Sequence, residues 1–213
     1  MDEIFGHRVD EHIQSTTALR KHVNPPSHYV NNKVIDHVDA LAQRFIAASS
    51  LALISSVRPD GRLDITPRGD PAGFVHVLTK NLIAIPDRPG NNRMDTFENI
   101  IENQNIGIIF IIPGHRDTLR VSGQAALVKD SSLAEATAVN GRPAGFTLLV
   151  KVERVLCHCP KAFIRGKVWQ PEDWPDTSDV PTLGEMMVAH GKMSESIAEV
   201  EAVVQNDGKV RLY

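Results

Sequence analysis

The stretch Ile85-Pro86-Asp87-Arg88-Pro89-Gly90-Asn91-Asn92-Arg93 gathers two arginines, two asparagines and a glycine into one short loop. It joins a strand end to a helix start, so unpaired backbone N–H groups and the positive helix end point into the loop, and an anion would sit well there. Arginine suits a phosphate because its planar fork meets two oxygens at once, and Gly90 lets the backbone approach closely. The same residues admit a second reading, a capped loop whose arginines pair with Asp87 and Asp95. The pattern is neither a P-loop nor a dinucleotide fingerprint. A second group, Thr66-Pro67-Arg68-Gly69-Asp70, stands at a strand end. There Arg68 either reaches the same anion or pairs with Asp70 on the surface, a contact worth under about 1 kcal/mol.

Other chemistries find less support. No Gly-x-Ser-x-Gly elbow is present, and the histidines fall mostly in a polar N-terminal arm and in turns, so no nucleophilic triad and no catalytic side chain is assigned. Cys157 and Cys159 are the only cysteines, which excludes a disulfide scaffold. They share one face of a strand with His158 on the other, and no second Cys/His pair lies at ligand spacing, so they are expected to be buried, inert thiols with no metal. Chemistry, if any, falls to a cofactor.

These loops need a scaffold, and the 213 residues are enough for one buried core with an appendage. The net charge of −3 gives no basic footprint, so nucleic acid is not expected as a partner. No run approaches the roughly 18 apolar residues of a membrane span, and the first residues mix charges where a signal peptide would be apolar. A soluble cytoplasmic protein is expected.

Residues 1–30 read as a polar arm closed by Pro25-Pro26. From Asn31, with Asn31 or Asn32 as cap, the spacing of Val34, Val38, Leu41 and Phe45 predicts an amphipathic helix ending near Ser49. The pattern then changes to that of a sheet. Leu51 to Val57 and Leu63 to Arg68 form a hairpin across Pro59-Asp60-Gly61, and Phe74 to Thr79 pairs with Leu82 to Pro86. A helix carrying Met94, Phe97, Ile100 and Ile101, capped by Asn92, follows the anion loop. The apolar run Ile106 to Ile112 reads as a central strand covered on both faces. An alternating strand from Leu119 to Leu127 comes next, interrupted by Gly123 as a close approach would interrupt it. After a short helix, Ser132 to Val139, a long strand runs from Phe146 to Cys159. Its apolar face switches between Val152 and Val155, which calls for a bulge near Glu153 or Arg154. The sum is six or seven antiparallel strands with flanking helices, a mainly β chain curling into a barrel. Pro171, Pro175 and Pro181 mark a linker, and Thr182-Leu183-Gly184-Glu185 reads as a capping box opening a C-terminal helical extension over 171–213.

The order helix, hairpin with Ile65-Thr66-Pro67-Arg68-Gly69, strand Leu82 to Pro86, loop ending in Asn91-Asn92-Arg93, helix and Leu119-Arg120-Val121-Ser122-Gly123 resembles the pyridoxamine 5′-phosphate oxidase-like FMN-binding split barrels. Pro67-Arg68-Gly69-Asp70-Pro71 together with the anion loop resembles an uncharacterised flavin-binding branch of that superfamily. The resemblance implies a split β-barrel over 31–170, working as a homodimer with an FMN in each of two clefts between subunits and a small-molecule substrate. It places Thr66 and Arg68 on the strand lining the flavin, Asp87 and Arg88 at the start of the phosphate loop, and Asn91, Asn92 and Arg93 at its end. Thr118 matches a position reaching the flavin from the partner subunit, and Lys161 and Trp169 fall where the family sends side chains over the neighbouring flavin. The Arg/His motif that holds the vitamin B6 substrate in the oxidase itself has no match in 170–213. An FMN oxidoreductase is the leading expectation, with a non-catalytic flavin or haem carrier as the alternative.

Overall fold

The computed structural model describes residues 1–213, which divide into two compact units, Met1–Val34 and Ile35–Tyr213. The first unit holds an antiparallel ribbon of β1 (Asp2–Ile4) and β2 (His7–Val9), then the short helices α1 (Thr16–Arg20) and α2 (His28–Asn31). None of its residues is buried. The two-residue strand β3 (Val34–Ile35) spans the boundary.

The helix expected from Asn31 begins only at Ala40, as α3 (Ala40–Ala48). Asp39 takes the cap, its carboxylate accepting the Ala42 N–H at 2.8 Å. The preceding segment is held extended because the Val38 N–H donates to the Lys80 carbonyl at 2.7 Å, and adjacent β-branched Val34 and Ile35 suit that geometry. Of the four spaced positions Val38 is buried and Phe45 packs half-buried against the core, while Leu41 is 69% exposed and Val34 lies outside the helix; the buried face of α3 is carried by Ala42 and Ile46.

The strands are β4 (Leu51–Val57), β5 (Leu63–Gly69), β6 (His76–Thr79), β7 (Leu82–Pro86), β8 (Asn105–Ile111), β9 (Thr118–Val128) and β10 (Thr147–His158). Between them lie α4 (Asp95–Glu102) and α5 (Ser131–Ala136). After β10 come α6 (Lys161–Arg165), α7 (Leu183–Gly191) and α8 (Ile197–Val210). These strands run antiparallel in the order β5-β4-β8-β9-β10-β7-β6 within an eight-stranded sheet. The fold is mainly β with flanking helices. Pro67 sits on β5 at the edge of that order, where its missing N–H costs no ladder bond. The sheet curls, because Arg68 on edge strand β5 reaches Asp87 just beyond β7 near the opposite edge, at 3.0 Å.

One apolar core fills the curl. Ala52 and Ile54 of β4, Ile83 and Ile85 of β7, Ile108 and Phe110 of β8, Val121 of β9 and Leu148 and Val150 of β10 meet Ile46 of α3 and Ile100 of α4. The register of β9 against β10 slips between Val152 and Arg154, which is the expected bulge and carries Val155 back inward. Gly123 faces that bulge, and a Cβ there would lie 2.0 Å from the Lys151 carbonyl oxygen, so no larger residue fits without moving backbone. The expectation of buried thiols fails, since Cys157 and Cys159 are both exposed. The end of β10 runs past the core, and alternation along a strand marks a face without saying whether anything covers it. The capping box at Thr182 and Glu185 forms as expected. No helix is long and apolar enough to cross a membrane.

Candidate functional site

A cleft of about 490 Å³ opens where β5, the end of β7 and the start of α4 converge. Strand β5 alternates, so Asp64, Thr66 and Arg68 are half-buried while Leu63 and Ile65 project from the other face. Pro86 ends β7, and the Asp87 N–H donates to the Phe146 carbonyl at 2.9 Å, which anchors the loop that follows. Asn92 and Met94 both have left-handed backbone, with φ of 61° and 56°. Residues held there cluster at sites whose shape matters, and Met94 gains nothing locally from it. The expected cap, Asn92, does not cap α4. Met94 occupies the cap position and offers no side-chain acceptor, so the first N–H groups of α4 have no side-chain partner. Asn91 instead accepts the Arg93 N–H at 3.1 Å.

Seven of the ten residues singled out in the sequence line this cleft: Thr66, Arg68, Asp87, Arg88, Asn91, Asn92 and Arg93. Thr118, Lys161 and Trp169 do not. Thr118 is buried at the start of β9 opposite His158. Lys161 is exposed on α6, and the Trp169 indole N–H donates to the His115 carbonyl at 2.8 Å while stacking on Phe163.

Every arginine of the cleft has a carboxylate: Arg93 keeps the local partner Asp95 that the capped-loop reading offered, while Arg68 and Arg88 pair across elements. Arg68 donates to Asp87 at 3.0 Å, and its guanidinium lies 5.1 Å from the Phe97 ring centre. Arg88 donates Nε to Asp70 at 2.6 Å and Nη2 to the Thr137 carbonyl at 2.6 Å. Arg93 pairs with Asp95 at 2.7 Å, which holds that carboxyl below the usual range. Arg68 and Asp70, the surface pair envisaged from the sequence, are not partners.

The three arginines differ in what they could give a ligand. Arg88 is almost wholly enclosed, with a side chain 13% exposed against an Asp70 side chain 1% exposed, and its donors are turned into the protein. Arg68 donates one hydrogen bond within the chain and keeps the rest of its fork. Arg93 sits in an open pair, its side chain 71% exposed, where a pair is worth about 1 kcal/mol or less and yields readily to a stronger anion. Four aspartates, Asp64, Asp70, Asp87 and Asp95, line the same cleft. Burial pushes the Asp87 carboxyl above its usual value, outweighing Arg68 beside it, so the repulsion this group presents to an anion can be relieved by a proton.

Tyr213 escaped the sequence reading altogether, and Asp70 entered it only as a surface partner for Arg68. The Tyr213 hydroxyl donates to Asp70 at 2.9 Å from 143 positions along the chain, a separation at which no local motif could signal it.

A family model described as pyridoxamine 5′-phosphate oxidase matches residues 38–159. No curated protein sequence matches the chain. Solved structures similar to it include HupZ from Group A Streptococcus, at 18% identity over 55% of this chain and 91% of that one with a TM-score of 0.45. A putative pyridoxamine 5′-phosphate oxidase from Lactobacillus delbrueckii is 17% identical over 57% and 99%, with a TM-score of 0.44. An FMN-binding protein from Syntrophomonas wolfei is 12% identical over 55% and 88%, with a TM-score of 0.40.

Proposed function

The chain belongs to the pyridoxamine 5′-phosphate oxidase family, and from that premise we propose that it binds FMN by its phosphate in the cleft between β5 and the 87–93 loop and works as an oxidoreductase. The observation that carries this reading is the convergence of Arg68, Arg88 and Arg93, from separate elements, on one strand-end cleft. The donor set fits a phosphate. Arg68 and Arg93 offer planar forks, Asn91 and Asn92 add side-chain amides, and the uncapped start of α4 adds backbone N–H groups. A Cβ at Gly90 would meet no protein atom within 4 Å, so the chain's own packing does not require that glycine and a close-lying ligand gives it a reason.

The chemistry such a flavin supplies is hydride transfer through its N5 atom to or from a small-molecule substrate. What the chain contributes is placement. Arg93 exchanges Asp95 for the phosphate, Arg68 turns its free donors to the same group, and Arg88 holds the loop against Asp70 so that both can do so. Thr66, on the same face of β5 as Arg68, would offer its hydroxyl to the same bound molecule.

The site is read as completed by a second copy of the chain. The outer face of the sheet carries a shallow groove of Leu53, Ile65, Ile109 and Leu156 flanked by Arg120 and Arg154, and Ile65 is 68% exposed. An apolar sheet face of this kind suits a homodimer interface. Thr118, Lys161 and Trp169, which the resemblance assigns to the neighbouring subunit's flavin, stay a proposal that rests on such a pairing, since none of them lines the cleft of its own chain.

An absorption spectrum of the purified protein, followed by mass spectrometry of what it releases, tests the reading. FMN is expected, copurified or taken up on titration, and the bound flavin should bleach with a nicotinamide donor. A colourless protein that takes up no FMN would overturn the proposal, and a Soret band would replace it with a haem carrier.

A further inference from the structure

We infer that Tyr213 is a positioning residue for the phosphate loop, acting through Asp70; the inference rests on the reading of that loop as the ligand holder. Asp70 follows β5 in the turn entering the cleft wall, and its carboxylate is almost fully enclosed. A buried carboxylate needs a donor at each oxygen. One oxygen takes Nε of Arg88 at 2.6 Å and the other takes the Tyr213 hydroxyl at 2.9 Å. The hydrogen bond to Asp70 raises the phenol's own pKa, as expected for a hydroxyl committed as a donor to an anion.

The segment around Tyr213 meets the loop at two further points, and a third contact holds Tyr213 from elsewhere. The Arg88 guanidinium lies 5.9 Å from the centre of the Tyr213 ring. Arg211 donates to the Gly90 carbonyl at 3.3 Å, inside the loop itself. Arg142 donates to the main-chain oxygen of Tyr213, which fixes the residue from its other side. Helix α8 delivers this segment, with Val200 as its buried anchor. Residues 88–93 lack the ladder or helix bonds that would fix their shape. Arg88, held by Asp70 and Thr137, sets where the loop starts, so removing the phenol from Asp70 loosens the arginine that aims the loop. Loosening there spreads Arg93 and the amides at Asn91 and Asn92 over more conformations, and a ligand must then restore order at the expense of affinity.

The test is Tyr213→Phe in the full chain, which keeps the ring and removes only the hydroxyl. FMN and riboflavin affinities are measured by flavin fluorescence, and hydrogen exchange is followed over residues 87–95. Tyr213→Phe should weaken FMN about five- to tenfold, within the net worth of one hydrogen bond acting through the loop, with riboflavin unaffected and exchange in the loop faster. Selective loss of the phosphate-bearing ligand separates positioning of this loop from general destabilisation, which would weaken both flavins alike. Unchanged FMN affinity and unchanged exchange would overturn the inference. Should the unaltered chain take up no FMN, the proposed function fails by itself, and exchange alone decides the clasp: faster exchange in Tyr213→Phe upholds it and equal exchange overturns it.

Discussion

Arg68→Met should raise the Kd for FMN by about 10- to 100-fold, the loss expected when a hydrogen-bonded charge on a phosphate is removed. The single substitution also leaves Asp87, with a side chain 12% exposed, without its cation, so some stability should be lost with it. A second substitution separates the two effects. In Arg68→Met/Asp87→Asn the unpaired charge is gone, and stability should return while FMN affinity stays low. The pH dependence is expected to agree. Burial already places the Asp87 carboxyl above its usual value in the folded chain, and removing Arg68 raises it further. A raised carboxyl disfavours the charged folded form. The deficit of Arg68→Met should therefore shrink as pH falls through that raised value toward the unfolded carboxyl's range near 4, and be greatest above it. Urea titrations at several pH values and flavin fluorescence titrations give both quantities. Affinity restored together with stability in the double variant would show that Arg68 serves only Asp87.

Asp70→Ala should be the most destabilising single change in the cleft. It strands the Arg88 guanidinium, 13% exposed, and removes the acceptor of the Tyr213 hydroxyl in one step. Breaking a buried pair from one side costs about 3–5 kcal/mol. In a chain of this size that corresponds to a Tm lower by about 6–20 °C. Replacing both partners, as in Asp70→Leu/Arg88→Met, should recover much of the loss, because no uncompensated charge remains, yet FMN binding should stay weak because the loop has lost its brace. A fall of less than about 1 kcal/mol for Asp70→Ala in urea unfolding would mean that water replaces the carboxylate and that Asp70 braces nothing.

How much of this was legible in the sequence follows from the range over which each feature is determined. Strands β4, β5, β7 and β9 were readable because a short apolar or alternating run between turn residues is a local signal, and the bulge at Val152 and Arg154 was readable because the apolar face visibly changes side. The start of α3 was not, because three-four spacing also fits residues 31–39. What stops the helix there is a competing cap at Asp39 and a bond from Val38 to a distant hairpin. Asn92 looked like the cap of α4, and the left-handed turn at Met94 displaced it by two positions. Within the cleft, residue types named the arginines, while their partners depend on the curl of the sheet. Arg68 meets Asp87 and Arg88 meets Asp70 only because β5 and the end of β7 face each other. Tyr213 could be found only in three dimensions. Exposure of Cys157 likewise depends on how far β10 outruns the core, which periodicity does not encode.

The most direct test of the central claim compares FMN with riboflavin on the unaltered chain by titration calorimetry at fixed ionic strength. If the cleft around Arg68 and Arg93 holds the phosphate, FMN should bind at least about 100-fold more tightly than riboflavin, which shares the ring and lacks the dianion. Equal affinities for the two flavins would contradict it.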